Sequence, residues 1–381
     1  MEEWIKCPLG DILNFRRGHD LPKTSMIPGD IPVAGSNGII GFHNVSTPIS
    51  PCITIGRSGN VGTPYIYDKC WAHNTVLYID DYKGNDPKYL YYLLKTLPLA
   101  SFGGGSAVPT LNRNHIHPLE VVFCKDIELQ KKIAGILSKI DDKIELNRQI
   151  NDNLEQQIQT LYREWYIDNP KTEWATMALS EVATFVGGYS YKGNELVDSS
   201  ETAMATIKNF ERNGGFKLDG YKPISPSSKL KEEQHAELFD ILVAHTDLTQ
   251  NAEVIGNAEI ILSKDSYNDI IFSMDLVKVV AKESFPYQFL LALLLKNPVF
   301  KSHCIGYVNG TTVLHMNKRA LPDFNTQIPT CEDAARMNEM AKSIFTKMYE
   351  NLSEIANLTK LRDSLLPKLM SGELKINEID C

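Results

Sequence analysis

The stretch GSAVPTLNRNHI, residues 105–116, nearly recurs as GTTVLHMNKRAL at residues 310–321. The two copies agree in a Gly, in Ser or Thr, Val, Leu or Met, Asn, and Arg or Lys at matching positions. A stretch rich in Gly and Asn is typical of a loop, and a loop pattern used twice indicates a duplicated unit. The sequence therefore predicts one structural domain in two copies.

Two further repeats occur in the same order and support the duplication. EWIKCPLGDILNFRRG at residues 3–18 matches EWATMALSEVATFVGG at residues 173–188, and a short apolar segment ending at Lys95 matches one ending at Lys296. The spacing between copies grows along the chain, which predicts about 30 extra residues in the second copy. We expect these extra residues in loops around residues 213–234.

Each copy is followed by a segment in which apolar residues recur at alternating intervals of four and three. This repeat is that of two helices packed along one seam. A helix of about 40 residues is roughly 60 Å long and needs a partner to bury its apolar stripe. The predicted seam consists of Ile140, Ile144, Leu154, Ile158, Ile344, Met348, Leu358 and Leu365.

Polar residues also fall in this seam and bear on how the helices pair. Asn147 and Asn351 occupy matching positions, as expected of residues that set the register of a coiled coil. Pro367 is expected to kink or end the second helix. The alternative is two independent surface helices, each packed on its own domain.

The predicted fold class is α+β, with two tandem α+β domains that are each followed by a long helix. β-rich runs such as PCITIG and DLVKVV alternate with turn signals and short helices in both halves. The predicted segments are a first domain at 1–126, a first long helix at 127–168, a second domain at 169–330, a second long helix at 331–373 and a tail at 374–381.

Composition excludes some classes of protein and leaves the ligand open. No window approaches 18 uninterrupted apolar residues, so we expect no membrane span or signal peptide. The seven cysteines are scattered without a CxxC pair, which indicates reduced cytoplasmic thiols rather than disulfides or a zinc site. The formal net charge of −8 argues mildly against a protein that binds DNA alone, because phosphate contacts need basic groups.

Several motifs resemble the DNA specificity subunit of type I restriction-modification systems. They are ITIGRSGNVG at 53–62 followed by CWAHNTVLYI, the terminators LYREWYID at 161–168 and LRDSLLPKLMSGEL at 361–374, and the twice-used Gly-Ser/Thr loop. The resemblance covers nearly the whole chain. It implies two target recognition domains that each read half of a split double-stranded DNA sequence, and long helices that form an antiparallel coiled coil.

The resemblance also implies partners that supply the chemistry. Two modification subunits would bind S-adenosylmethionine and methylate adenine, and motor/nuclease restriction subunits would translocate and cut DNA. The modification subunits could embrace the DNA and supply phosphate contacts, which would offset the acidic composition. The implied protein binds no cofactor itself, acts in the cytoplasm and touches no membrane.

The chain shows no catalytic centre of its own. KNPVF at residues 296–300 departs from the adenine-holding Asn-Pro-Pro-Phe/Tyr pattern at Val299, and we expect a helix terminus there. His115 with His117, and His73 near Cys70, fit surface or hydrogen-bonding roles better than metal ligation. The alternatives are the specificity portion of a fused or two-subunit restriction-modification system, which a cofactor-binding assay would detect, and a coiled-coil adaptor without a DNA role.

Candidate DNA contacts were chosen because Arg and Lys read guanine, Asn and Gln read adenine, and loops between glycines approach DNA closely. Residues shared by the two halves cannot give different specificities, so they should contact the DNA backbone or hold the fold, while unshared loops read bases. The candidates in the first half are Arg16 and Arg17, which follow the shared Phe15 and are better phosphate than base candidates, and Ser36, Asn37, Arg57, Ser58, Asn60, Ser106, Asn112 and Arg113. Those in the second half are Lys208, Asn209, Arg212, Thr246, Thr311, Thr312, Asn317 and Lys318, with His245 and Gln250 from the same loop as Thr246.

Overall fold

Each long helix is shared between two units of the computed structural model. The first unit comprises Met1–Ile144 and Asn357–Cys381, and the second comprises Glu145–Ala356. The structure describes residues 4–104, 109–169, 171–249, 251–310 and 313–376. Each unit thus contains its own sheets and one segment of each long helix, and both contain helix and sheet as the α+β prediction requires.

The first unit is built on three sheets with strand orders β1-β9, β2-β8-β5-β6 and β4-β3-β7. The strands are β1 (Trp4–Pro8), β2 (Asn14–Arg17), β3 (Ile31–Gly35), β4 (Gly38–His43), β5 (Cys52–Gly56), β6 (Pro64–Tyr67), β7 (Trp71–Ala72), β8 (Val76–Asp81) and β9 (Glu120–Cys124). The helices are α1 (Leu9–Ile12), α2 (Pro87–Thr96), α3 (Arg113–Ile116) and the long α4 (Ile127–Arg163).

In the second unit, the long helix α4 is followed by a π-helical turn at Glu164–Asp168. The strands of this unit are β10 (Ala175–Ala178), β11 (Ala183–Gly187), β12 (Thr202–Ala205), β13 (Lys222–Pro223), β14 (Ile241–Ala244), β15 (Thr246–Asp247), β16 (Ala258–Ile260), β17 (Asp269–Phe272), β18 (Leu276–Ala281), β19 (Val308–Asn309), β20 (Leu314–Met316) and β21 (Asn325–Ile328). Its helices are α5 (Leu179–Val182), α6 (Gln288–Leu295), α7 (Pro298–Ile305) and the long α8 (Cys331–Ser371).

Within the described residues, three of the four sheets of the second unit repeat those of the first, and the fourth has the order β15-β20-β19. The orders β10-β21, β11-β18-β14-β16 and β13-β12-β17 match β1-β9, β2-β8-β5-β6 and β4-β3-β7 strand for strand. The match includes direction, because β3 pairs with β7 and β12 with β17 in parallel while the other pairs of these sheets are antiparallel. The duplication predicted from the sequence is therefore present in the fold.

The repeated glycines Gly18 and Gly188 lie at the same place in the two units. A Cβ at either position would overlap the carbonyl oxygen of a facing residue, His73 in the first unit and Ser273 in the second. Neither site can accept a side chain without backbone movement. This close approach explains why both copies carry Gly directly after the strand that begins near their shared Phe.

The extra residues of the second unit lie in two places. One extension lies between β12 and β14, which contains residues 213–234 as expected and corresponds to the shorter connection between β3 and β5. The other lies between β14 and β17, where the first unit connects β5 to β7. The expectation of a single enlarged region was therefore too narrow, because a growing spacing between repeats does not locate each insertion.

The long helices run antiparallel within each unit. In the second unit, Asn147 donates to Glu354 at 2.8 Å and Asn151 donates to the Met348 carbonyl at 3.2 Å. Residue numbers thus rise along one helix as they fall along the other. In the first unit, Arg362 of α8 donates to Asp141 of α4 at 2.8 Å.

Pro367 does not end α8, which continues to Ser371. Proline lacks one backbone donor, and near the end of a helix its loss removes a single intrahelical hydrogen bond. The helix ends instead before Gly372, whose φ of +76° is the left-handed conformation that favours glycine. A Cβ at Gly372 would collide with the Trp4 ring, so this end is packed against β1.

Candidate nucleic-acid interface

Four arginines of the first unit converge on one cleft of about 410 Å³. The lining residues are Arg16, Arg17, Arg57, Leu77, Thr110, Leu111, Asn112 and Arg113. No carboxylate is present among these described lining residues, so the cleft is strongly positive although the chain is acidic. Five of the predicted DNA-binding residues meet here, from three separate parts of the sequence.

Strand pairing brings the first two arginines to the cleft. β2 pairs with β8 so that Arg16 lies opposite Tyr78 and Arg17 opposite Leu77. Both guanidinium-bearing residues are exposed. Arg17 lies 3.7 Å from Asp20, a solvent-exposed pair that contributes little to stability. These two side chains are therefore available to an anionic ligand.

The backbone of Phe15 fixes the strand that carries these arginines. Its N–H donates to His117 Nε2 at 3.1 Å, and its carbonyl accepts from Arg113 Nη1 at 3.1 Å. Burial lowers the pKa of His117, and the nearby charges of Arg113 and Lys83 lower it further. An unprotonated His117 keeps the acceptor that the Phe15 N–H requires.

Arg57 lines the cleft, and its backbone is hydrogen-bonded on both sides. Its N–H donates to the Thr75 carbonyl at 2.8 Å, and its carbonyl accepts from the Leu111 N–H at 2.7 Å. One guanidinium nitrogen lies 3.4 Å from the Asn74 carbonyl, which leaves most of its donors uncommitted. The following Gly59 has φ of +85°, so the turn that presents Arg57 needs glycine.

The repeated Asn has the same conformation-holding role in both units. Asn112 accepts from the Asn114 N–H at 3.0 Å and caps α3. Asn317 accepts from the Arg319 N–H at 2.9 Å in the same way. The sequence offered both a structural and a DNA-binding interpretation of this Asn, and its side-chain oxygen is engaged in the structural one.

The remaining candidates of the first unit lie outside this cleft lining. Ser36 is buried in the turn between β3 and β4, and its hydroxyl donates to the Thr75 carbonyl at 2.7 Å. Asn37 is exposed in the same turn. Ser58 forms a β-bridge with Thr110, and Asn60 is exposed and accepts a hydrogen bond from Thr63.

The candidates of the second unit are dispersed, and two are bonded inward. Asn209 is fully buried, accepts from the Thr206 N–H at 2.9 Å and donates to the Lys217 carbonyl at 2.7 Å. Thr246 is buried and its hydroxyl donates to Asp275 at 2.9 Å. These bonds occupy the groups that base reading would need.

The basic candidates of the second unit remain exposed. Lys208 and Lys318 are exposed, and Arg212 pairs with Glu253 at 3.1 Å. Arg212 also lines a cleft of about 430 Å³ near Lys296. Ser106, Gln250, Thr311 and Thr312 lie outside the described residues.

The predicted seam residues lie in the interior of their units. In the second unit, one hydrophobic core contains buried Ile158 and Met348, with Leu154 and Ile344 packed against it. In the first unit, Leu365 packs against the core of that unit. Ile144 is buried, whereas Ile140 and Leu358 are half-buried.

Polar seam residues form a ladder in the second unit. Asn351 donates to the Asn151 side chain at 2.8 Å, and Asn147 and Asn351 are both 1% exposed. A buried amide is costly unless it is hydrogen-bonded, so each restricts the helices to registers that supply a partner. Asn151 also lies in the four-three spacing, but only Asn147 and Asn351 were predicted to set the register.

Two stretches that could suggest other chemistry have structural roles. Asn297 of KNPVF caps α7 by accepting from the Val299 and Phe300 N–H groups at 2.8 and 3.1 Å, as expected of a helix terminus. Within the described ranges no group of three or more potential metal ligands is present. In the same part of the chain, no helix is both long and apolar enough to cross a bilayer.

One residue that holds the cleft was not predicted as such. His117 was noted only as a surface or hydrogen-bonding histidine, and it lies 102 residues from the Phe15 N–H that it binds. No local signal links the two positions. The pairing becomes visible only when β2 and α3 are folded side by side.

Residues 1–156 match the family model of the type I restriction modification DNA specificity domain. The chain is 24% identical over 314 residues to the type I restriction enzyme MjaIX specificity subunit of Methanocaldococcus jannaschii, covering 77% of this chain and 70% of that protein. It is 27% identical over 316 residues to the type I restriction enzyme HindI specificity subunit of Haemophilus influenzae, covering 65% of this chain and 68% of that protein.

A solved structure agrees with this resemblance at the level of fold. The crystal structure of the type I restriction-modification system S subunit from M. genitalium matches with a TM-score of 0.62 at 17% identity, over 96% of each chain. The family resemblance seen in the sequence is confirmed: residues 1–156 match the type I restriction modification DNA specificity domain, and the chain is similar over most of its length to type I specificity subunits.

Proposed function

We propose that this chain recognises a bipartite double-stranded DNA target for a type I restriction-modification complex, with each unit reading one half. The observation that carries this proposal is the cleft of four arginines in the first unit. Guanidinium groups bind phosphate and guanine edges bidentately, and several of them in one cleft suit a polyanion.

The charges next to a bound phosphate matter more for DNA binding than the net charge of the chain. The chain has 39 basic and 47 acidic residues, yet the described lining of the cleft is basic and neutral. Interactions between exposed charges fade beyond a Debye length of about 8–10 Å, so the residues next to a bound phosphate dominate its energy. An acidic chain can therefore hold DNA at one basic surface.

The two units suit a split target because they share a framework and differ in their loops. The sheets match in order and direction, while the extensions between β12 and β17 belong to the second unit. Common elements would hold the DNA backbone, and different loops would read different bases. We retain 1–126 and 169–330 as the proposed recognition domains.

The long helices would serve assembly. We propose that segments 127–168 and 331–373 set the separation of the half-sites and dock two modification subunits. Those subunits would bind S-adenosylmethionine and methylate DNA, with motor/nuclease subunits joining them in a cytoplasmic complex. This chain would supply specificity without catalysis.

A segment exchange tests the bipartite proposal. Residues 172–328 are replaced by the corresponding segment of another type I specificity subunit, and the methylated sequence is read after assembly with modification subunits. One half of the methylated sequence should change while the other half and the site's overall geometry persist. If both halves change together, the two units do not read independently.

The reciprocal exchange supplies the matched control. Replacing the first domain up to residue 126 should change only the opposite half of the methylated sequence. The two chimaeras should also assemble with modification subunits as the parent does, because both retain the long helices. A chimaera that assembles but methylates the parental sequence would contradict the assignment of its exchanged segment.

A further inference from the structure

Backbone hydrogen bonds identify the residue of the second unit that occupies the place of Arg57. The His245 N–H donates to the Asp275 carbonyl at 2.8 Å, as the Arg57 N–H donates to Thr75. The His245 carbonyl accepts from the Met316 N–H at 2.9 Å, as the Arg57 carbonyl accepts from Leu111. The two positions are equivalent although their sequence spacing differs from that of the repeated loop.

The neighbours of His245 are equivalent to those of Arg57 as well. Thr110 bridges Ser58 in the first unit, and His315 pairs with Thr246 in the second. The spacing of the repeated loop likewise places Lys318 where the first unit has Arg113. The floor of the four-arginine cleft thus has a counterpart that carries two histidines and a lysine.

His315 and Lys318 act electrostatically on His245. Burial lowers the pKa of His245, and the nearby His315 and Lys318 lower it further, while Asp275 acts in the opposite direction. His245 is half-buried, and His315 and Lys318 are exposed. The charged and titratable groups that face His245 are therefore two basic groups from the repeated loop and one acid from the turn before β18.

We infer that His245, His315 and Lys318 form the DNA-contacting floor of the second unit, and that the affinity of this unit for DNA increases when His245 becomes protonated. The inference rests on the proposed function. The expected pH dependence differs between the two half-sites, because the first unit presents arginine, which stays charged at every physiological pH. Recognition of one half-site would then depend on pH while recognition of the other would not.

Proton linkage determines whether the affinity for DNA rises or falls with pH. A neutral imidazole has one donor and one acceptor, whereas the protonated ring has two donors for phosphate or guanine acceptors. Bound DNA brings negative charge to the site and favours the protonated ring, so binding takes up protons. Affinity should therefore rise as the pH falls and His245 becomes protonated.

The test uses the complex of this chain with modification subunits and the duplex sequence that this complex methylates. The Kd for that duplex is measured from about pH 8 to about pH 6. The parent should bind roughly tenfold tighter at the acidic end, the value of one added charge-assisted hydrogen bond. His245→Gln should remove most of this dependence, and His245→Arg should bind tightly at both ends. Arg57→Ala should weaken binding yet retain the dependence, which makes it the matched control.

His315→Thr, which introduces the residue found at the equivalent Thr110, removes a group that lowers the pKa of His245 and should move the pH dependence to higher pH. A parent complex that binds duplex while His245→Gln keeps the full pH dependence would overturn the inference and leave the proposed function standing. A parent complex that binds no duplex would instead overturn the proposed function. Thermal unfolding of each variant shows whether a loss of binding reflects loss of fold.

Discussion

Replacing Arg16 and Arg17 together by Gln tests the cleft with little structural disturbance. Both residues are exposed at the end of β2, and their backbone pairing with β8 does not depend on the side chains. The ion pair of Arg17 with Asp20 spans 3.7 Å between largely exposed groups. We therefore expect the midpoint of thermal unfolding to remain close to that of the parent.

The expected loss of DNA affinity can be worked from counterion release. Each phosphate contact contributes about 0.9 to the slope of log K against log salt, so losing two lowers the slope by about 1.8. At about 0.1 M salt this corresponds to roughly one log unit per contact, or about 60-fold for both. Because phosphates carry no sequence information, cognate and substituted duplexes should weaken alike.

The assay is equilibrium binding of the complex with modification subunits between about 50 and 200 mM salt, on cognate and single-base-substituted duplexes. Arg148→Gln is the matched control, because Arg148 is an exposed arginine of the long helix α4 that pairs only loosely with Glu145. It should leave the slope unchanged. An unchanged slope in the double variant, or a loss confined to the cognate duplex, would refute phosphate binding by these two residues.

Three further predictions concern stability. Ile144→Asp places a charge at a position that is 2% exposed and should cost about 3 kcal/mol or more, whereas Leu146→Asp, at an exposed position of the same helix, should be nearly neutral in denaturant unfolding. Asn351→Ala leaves the Asn151 oxygen without its donor and should cost about 1–3 kcal/mol; equal stability would remove the polar ladder from the account. The pKa of His117 in the folded protein lies below the ordinary 6.5. The contribution of His117 to stability is therefore fully present above 6.5 and is lost as the pH falls from that value through the lower folded-state pKa. His117→Gln should therefore flatten part of the acid-induced loss of unfolding free energy, and an unchanged pH profile would contradict this.

The duplication and the long helices could be predicted because their signals are local or periodic. The four-three spacing follows directly from helix geometry, and the repeated loop marks equivalent backbone in both units. The prediction that Pro367 could end the second helix was wrong, because a proline one turn from the end of a helix removes only one intrahelical hydrogen bond. The location of insertions needed strand correspondences that sequence spacing does not contain.

The cleft illustrates the opposite case. Arg16, Arg57 and Arg113 were each proposed, but they meet only through the pairing of β2 with β8 and β8 with β5 and through the hydrogen bond of Arg113 to the Phe15 carbonyl. Residue type alone could not show that the Thr246 hydroxyl is engaged by Asp275. Nor could it show that His245 and Arg57 are equivalent, because the insertions change the spacing between the units before the repeated loop.

The central claim is that two related units read two separated halves of one DNA target. The most direct measurement is selection of bound duplexes from a random-sequence pool by the complex of this chain with modification subunits, followed by sequencing. The selected duplexes should share two short specific blocks separated by a nonspecific spacer of constant length. Arg57→Ala should abolish the base preference at one position in one block only. A single continuous motif, or no enriched motif from a complex that is folded and assembled, would contradict the central claim.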